Sequence, residues 1–522
     1  MMTPFSYLRI LVTPPYGRGN TGSRRIETRP PQSFAHPCVP RAVEFSPVSQ
    51  PPNLLLILLD SAQAHVYGHA GGPAHTPHAD RLAARGTRFP RAYCAAPICH
   101  PARSLVDTGL FPHANGMMTN RCGRGAYPFA VFPHVPSIAE RLRELGYRTG
   151  YAGQGHIDVR GFDHDEAYPT AEFHAWLRAR GMEERPHPDH RHWGCGVLDG
   201  DLELARDTQF AHRAVALLER VAARRDQPWF VQCDFDGPHP PCWPPGPFAE
   251  RVRPADVVLP SSLRDPLDDV PPAVRRARDA QGGAERSDDE WRVAIAYFYA
   301  MTEFLDALVG RVLVTLERLG QAERTVVLLS SDHGGLMGAH GFTMHGSPAL
   351  YDPAVRVPLI VAGPGVAARR VAGSFVSHAD LAPTVLELAG ASVSPQGLHG
   401  RSLAPLLQGT TPPDWRDDVY CQYSGDGVQF YSVRSVRTAG WSYTFAPHGG
   451  EQLYDLAADP DERVNLADPR GASGQHDAHI AAGLCEMRAR LGVWMERIDD
   501  PLRFPSIWRH TERAGREPNP AT

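Results

Sequence analysis

Asn53-Leu54-Leu55-Leu56-Ile57-Leu58-Leu59-Asp60 is an unbroken apolar run that stops at a carboxylate. A short run without polar alternation is what a strand covered on both faces requires, as in a parallel sheet. Its final aspartate then stands at the carboxyl end of the strand, where open α/β sheets bind ligands. A second run, Thr325-Val326-Val327-Leu328-Leu329-Ser330-Ser331-Asp332-His333-Gly334, ends the same way. Around these two, strands and helices alternate. Helices are expected over 76–86, over 137–146 behind a Ser137…Glu140 capping box, and over 207–224, 288–319 and 378–388. Shorter strands are expected at 148–152, 229–233 and 358–361. The pattern predicts an α/β domain over residues 51–411, a doubly wound sheet with helices on both faces.

Beyond Pro412 the texture changes. Residues 419–423, 431–437 and 441–445 read as short antiparallel strands, and 476–498 as an amphipathic helix. Residues 412–522 are expected to form a smaller α+β domain, and residues 1–50, rich in Pro, Arg, Ser and Gly, a disordered extension. A length of 522 residues with 42% hydrophobic and 21% charged content fits an ordinary globular protein of two domains. The net charge of −5 gives no basis for nucleic acid or an anionic membrane as partner. No uninterrupted apolar run approaches the ~20 residues of a membrane span. Residues 8–12, broken by Arg9, are too short for a signal-peptide core, so a cytoplasmic location is the expectation. The nine cysteines are scattered, and all 53 basic residues are arginine.

The stretch Ala96-Pro97-Ile98-Cys99-His100-Pro101-Ala102-Arg103 places a cysteine ahead of a proline, one turn before an arginine, where a loop becomes a short helix. Proline suits the first helical position, whose N–H has no partner there. Cys99 then lies at or before the helix N-terminus, beside unpaired amides and the positive end of the dipole. Arg103 falls on the same face. On these residues alone Cys99 reads as a thiolate nucleophile for an anion. Asp60 and Asp332-His333 belong to the same region of the sheet. Carboxylates at neighbouring strand ends repel unless a cation lies between them. Two aspartates, a histidine and a further oxygen suit a divalent ion, the histidine tilting the set from calcium toward manganese.

The order Asn53…Asp60, Cys99-x-Pro101-x-Arg103, Thr108-Gly109, Gly153-x-x-His156, Pro238-His239, Ser331-Asp332-His333-Gly334 and Val357-Pro358-Leu359-Ile360 resembles the sulfatase family. So do Asp380-Leu381-Ala382-Pro383-Thr384 and Glu451-Gln452-Leu453-Tyr454-Asp455-Leu456; the match covers residues 52–470. The resemblance implies an alkaline-phosphatase-like fold with a mixed sheet. It implies a hydrolase of small-molecule sulfate esters, in which a formylglycine-generating enzyme acts on Cys99–Arg103 and the hydrated formylglycine is the nucleophile. It also implies one divalent ion, calcium first with manganese or magnesium as alternatives, held by Asp60, the modified Cys99, Asp332 and His333. Arg103 would neutralise sulfuryl charge, His156 drive sulfate elimination, and His239 contact sulfate or protonate the leaving oxygen. Asn120 matches a substrate-contacting asparagine of the related phosphonate monoester hydrolases.

Three positions depart from the family pattern. Ser61 replaces a second aspartate, and Gln154 and His345 replace two lysines of the anion site. Gln154 is kept as a substrate contact that can only hydrogen-bond; His345 is kept as a catalytic residue, cationic if the site raises its pKa. Asp107 stands where the family is usually apolar. The alternatives are a phosphodiesterase or phosphonate monoester hydrolase on the same scaffold, and a binding protein that has lost catalysis.

Overall fold

The computed structural model describes residues 51–503 apart from 121–129, 157–159, 181–194, 199–200, 346–347, 393–396, 426–430, 448–449 and 469–477. The expectation for residues 1–50 lies outside the described residues. Those described belong to the compact unit Ser49–Thr522.

The apolar run Asn53–Leu59 is a central strand of an eight-stranded sheet. In space the order is His164–Ala167, Arg148–Gly153, Trp229–Asp234, Asn53–Leu59, Thr325–Ser331, Leu359–Ala362, Thr87–Arg88 and Arg370–Val371. The first five strands are parallel; Leu359–Ala362 pairs antiparallel with both its neighbours. The sheet is therefore mixed. Alternate residues of the first strand enter opposite cores: Leu55, Ile57 and Leu59 pack with the helices Arg206–Ala222 and Asp288–Arg318, Leu54 and Leu56 with Ile138–Glu144 and Leu381–Leu388. Both faces are covered, which is why the strand carries no polar residue between Asn53 at its start and Asp60.

The helix Asp288–Arg318 is long and apolar enough by composition to cross a membrane, but its most apolar 18-residue window is 78% buried inside the protein. It is a core helix. Ser137 and Glu140 form the expected capping box. Helix Pro77–Arg85 has no side-chain cap from Thr76; Asp306, on the core helix, accepts the His78 and Ala79 amides instead.

The C-terminal segment builds a four-stranded antiparallel sheet, Val419–Tyr423, Val433–Arg437, Trp441–Ala446 and Gly450–Asp455, with helix Ala478–Arg497 packed on it. The fourth strand was not expected: its polar start and single apolar pair hide it. Tyr420, Val436 and Tyr443 share a core with Leu105 and Phe111, and the Gln422 amide donates to the Ala95 carbonyl. This sheet thus braces the Cys99 loop from behind.

Candidate active site

Asp60, Asp234 and Asp332 stand at or just past the carboxyl ends of three adjacent parallel strands. The helix Cys99–Thr108 runs into this edge, and all but one of its residues are buried. Its geometry corrects one expectation. Cys99 itself holds the first helical position and Pro101 the third, still within the turn whose amides have no intrahelical partner. Asn120 accepts the otherwise orphaned His100 amide through Oδ1 at 2.9 Å, and its side chain lies within hydrogen-bonding reach of the Cys99 sulfur.

Arg103 is 1% exposed and spans all three carboxylates. Its Nε donates to Asp332 at 2.9 Å, one terminal nitrogen to Asp234 at 2.8 Å, and the other to Asp60 at 3.1 Å. A guanidinium suits this because its donors lie in a rigid planar fork. Most of its donors are taken by the carboxylates, and these are what raise the Arg103 pKa against its burial. Asp234 is the residue the sequence reading missed. It carries the same signal as Asp60, a carboxylate closing an apolar strand; ending that strand at Cys233 concealed it. Tyr151 completes its shell, donating its hydroxyl to Asp234 at 3.2 Å.

Asp60, Cys99, Asp332 and His333 converge, their ligand atoms all within 4.8 Å of one another. The His333 ring lies with Nδ1 2.7 Å from the Gly334 carbonyl oxygen, so Nδ1 carries the proton and Nε2 is a free lone pair. That Nε2 faces Cys99 Sγ at 3.4 Å, Asp332 at 3.7 Å and Asp60 at 3.8 Å. Burial and Arg103 hold His333 neutral, its pKa lowered to about 4 although Asp60 opposes this. The two aspartates are pushed apart. Burial and the charge of Asp60 raise Asp332 well above the carboxylate range; burial acts to raise Asp60 too, but His239 and the fixed charge of Arg103 hold it below that range. Two carboxylates in such contact share a proton unless a cation lies between them. The donor set, carboxylate oxygens with one bare imidazole nitrogen, fits a divalent ion. Burial, then Asp60 and Asp332, raises the Cys99 thiol well above its usual value. A thiolate nucleophile is disfavoured here, which corrects the first reading of Cys99.

The mouth holds the remaining expected residues. His156 Nε2 lies 3.7 Å from Asp60, and burial with Arg103 nearby keeps the ring neutral. Gln154 Oε1 and His156 Nδ1 are buried atoms without a protein partner among the described residues. Both follow Gly153, whose φ of +145° brings its backbone so close to Asp234 that a Cβ would meet the Asp234 carbonyl oxygen. His239 packs against His345, ring centroids 4.8 Å apart. His345 reaches Ser61 Oγ through Nδ1 at 3.2 Å and Cys99 Sγ through Nε2 at 3.6 Å. Burial, with His333 and His239 beside it, lowers its pKa well below the usual imidazole value. The surroundings therefore lower rather than raise the His345 pKa, the condition on which a cation in place of the lysine depended.

Two family models overlap this chain. The model described as Sulfatase matches residues 52–391, well over half of the sequence, and one described as N-sulphoglucosamine sulphohydrolase, C-terminal, matches 338–489. The chain belongs to the sulfatase family. It is a sulfuric ester hydrolase by that membership, and the sulfatase has named relatives along most of its length. Choline-sulfatase of Rhizobium meliloti is 29% identical over 510 residues, covering 88% of this chain and 93% of the relative. Human arylsulfatase K is 28% identical over 447 residues, covering 80% and 79%. Among solved structures, a 2-O GAG sulfatase aligns with a TM-score of 0.70 at 26% identity over 87% of this chain and 94% of the other. The phosphonate monoester hydrolase of Silicibacter pomeroyi shares the fold, with a TM-score of 0.74 at 23% identity over 86% and 96%.

Proposed function

We propose that the sulfatase acts through formylglycine made from Cys99, with one divalent ion held by Asp60, Asp332, His333 and the residue-99 side chain. The observation that carries this is the convergence of those four groups around a buried thiol whose ionisation burial, Asp60 and Asp332 oppose. Calcium suits the oxygen-rich set best; manganese and magnesium are the alternatives. When present, the ion and formylglycine supply charge neutralisation and an oxygen nucleophile. The chain's own residues do the rest. Arg103 fixes the carboxylates in one arrangement. Neutral His156 accepts a proton beside Asp60, His239 exchanges one with the leaving oxygen, and the Asn120 and Gln154 amides hydrogen-bond an anion. A formylglycine-generating enzyme is the implied partner, acting on Cys99–Arg103 before this segment folds into the buried helix.

Ser61, in place of a second aspartate, favours phosphodiesterase or phosphonate monoester hydrolase chemistry as the second reading. Turnover of an aryl sulfate and an aryl phosphodiester of matched leaving group separates the two. The expected result is faster sulfate hydrolysis; a phosphodiester preference overturns the first reading.

A further inference from the structure

Ser61 and His345, two of the three departures from the family pattern, touch each other. Ser61 has φ of +65°, a conformation uncommon for a residue with a side chain. Its amide donates to Asp332 Oδ1 at 3.2 Å and its hydroxyl to Asp60 Oδ1 at 2.9 Å. With that single hydroxyl proton committed to a carboxylate, the Ser61 oxygen can only accept from His345. His345 Nδ1 therefore carries the ring proton, and the bare Nε2 faces Cys99 Sγ. A ligating histidine is typically held this way, its second nitrogen donating to a fixed acceptor.

His239 completes a set. Its ligand nitrogen, His345 nitrogen and Cys99 Sγ all lie within 4.8 Å of one another. In a tetrahedral zinc site, bonds of about 2.0–2.1 Å to nitrogen and 2.3 Å to sulfur put N and S ligands about 3.6 Å apart. His345 Nε2 and Cys99 Sγ are 3.6 Å apart. Three such protein ligands with a fourth position open are a common zinc arrangement. We infer that, before Cys99 is converted, Cys99, His239 and His345 bind a zinc-class transition metal ion. This set differs from the Asp60, Asp332 and His333 donors, which favour a hard cation. The shared member is residue 99, and its chemistry decides between them. As a thiolate it supplies the soft ligand that zinc or cobalt prefers; conversion removes the sulfur and leaves oxygen donors. Binding forms the sulfur–metal bond and releases the thiol proton to solvent.

The test uses the full chain made in a host without a formylglycine-generating enzyme, Cys99 confirmed as thiol by mass spectrometry, stripped with chelator and titrated with Co2+. The expected result is one Co2+ per chain with a thiolate-to-cobalt absorption band in the near ultraviolet, displaced by one Zn2+. Cys99→Ser and His345→Lys abolish the band in chains whose thermal unfolding is unchanged, and Ser61→Ala weakens Co2+ binding by about 10-fold through loss of the hydrogen bond that orients the ring. Absence of the band in folded, reduced protein overturns the inference. So does a band that survives Cys99→Ser or is unmoved by His345→Lys. If either variant loses its fold, His345→Gln serves in its place with the same expectation. None of these readings depends on turnover, so the result stands apart from the proposed reaction.

Discussion

The floor of the site and its mouth handle charge in opposite ways. At the floor, one buried arginine meets three buried carboxylates, Asp60, Asp234 and Asp332, each at 2.8–3.1 Å. At the mouth, the groups proposed to face a substrate anion are Asn120, Gln154, His156, His239 and His345, none of them a fixed cation. Among the described residues of the site, the fixed positive charge of Arg103 is thus committed to holding the carboxylates together, which leaves hydrogen-bonding side chains and whatever ion the carboxylates bind to meet the substrate. The two lysines that a family member ordinarily contributes would sit at the mouth, whereas the third departure, Ser61, bonds Asp60 and Asp332 at the floor.

The largest expected effect comes from breaking the floor. Arg103→Ala leaves three buried carboxylates without their partner, which costs about 3–5 kcal/mol of stability as well as activity. Thermal unfolding and turnover measure both; a variant as stable and as active as the parent would remove the floor's role. Behind Asp234 lies a carboxylate without such compensation. Asp107 is buried, its Oδ1 has no partner among the described residues, and burial pushes its pKa up to about 7 despite Arg160. Its folded pKa exceeds its unfolded one, so the folded state is favoured at low pH and loses stability as pH rises toward and past 7. Asp107→Asn removes that loss. It should stabilise the chain by at most about 4 kcal/mol above pH 7 and do little near pH 4; equal melting curves of the two proteins at pH 8 would contradict this.

How much of this contrast was legible in the sequence follows from where the signals sit. Asp60 and Asp332 announce themselves because each ends an apolar run, and Cys99, Pro101 and Arg103 because their spacing is unusual on a helix start. The sheet order was not legible: Leu359–Ala362 runs antiparallel, and Thr87–Arg88 and Arg370–Val371 are two-residue strands with no period to detect. Nor was the partner of Arg103, since a side chain with several donors and a choice of acids is settled only by the strand neighbours Trp229–Asp234 and Asn53–Leu59. The lowered pKa of His345 is likewise a product of burial among other imidazoles, which residue identity alone does not carry.

Two smaller effects sharpen the comparison. With chelator present, the raised Asp332 pKa makes stability fall as pH climbs above the ordinary aspartate range, because the folded chain must give up a proton the unfolded chain has already lost. Calcium at a hundredfold its Kd should restore about 2.7 kcal/mol at neutral pH and less in acid, where that proton competes; melting curves at two pH values check the sign. At the mouth, Gln154→Lys supplies a charged donor to the anion and should lower KM for an aryl sulfate about tenfold, an effect of about 1.4 kcal/mol. An unchanged KM would place residue 154 away from the substrate.

The central claim is that the nucleophile is an oxygen made from Cys99. Cleavage at arginine releases the peptide from Ala92 to Arg103, which holds both Cys94 and Cys99. Mass spectrometry of this peptide from an active preparation of the protein in its native host should show one thiol replaced by an aldehyde at position 99. An active preparation whose peptide keeps both thiols would contradict the account.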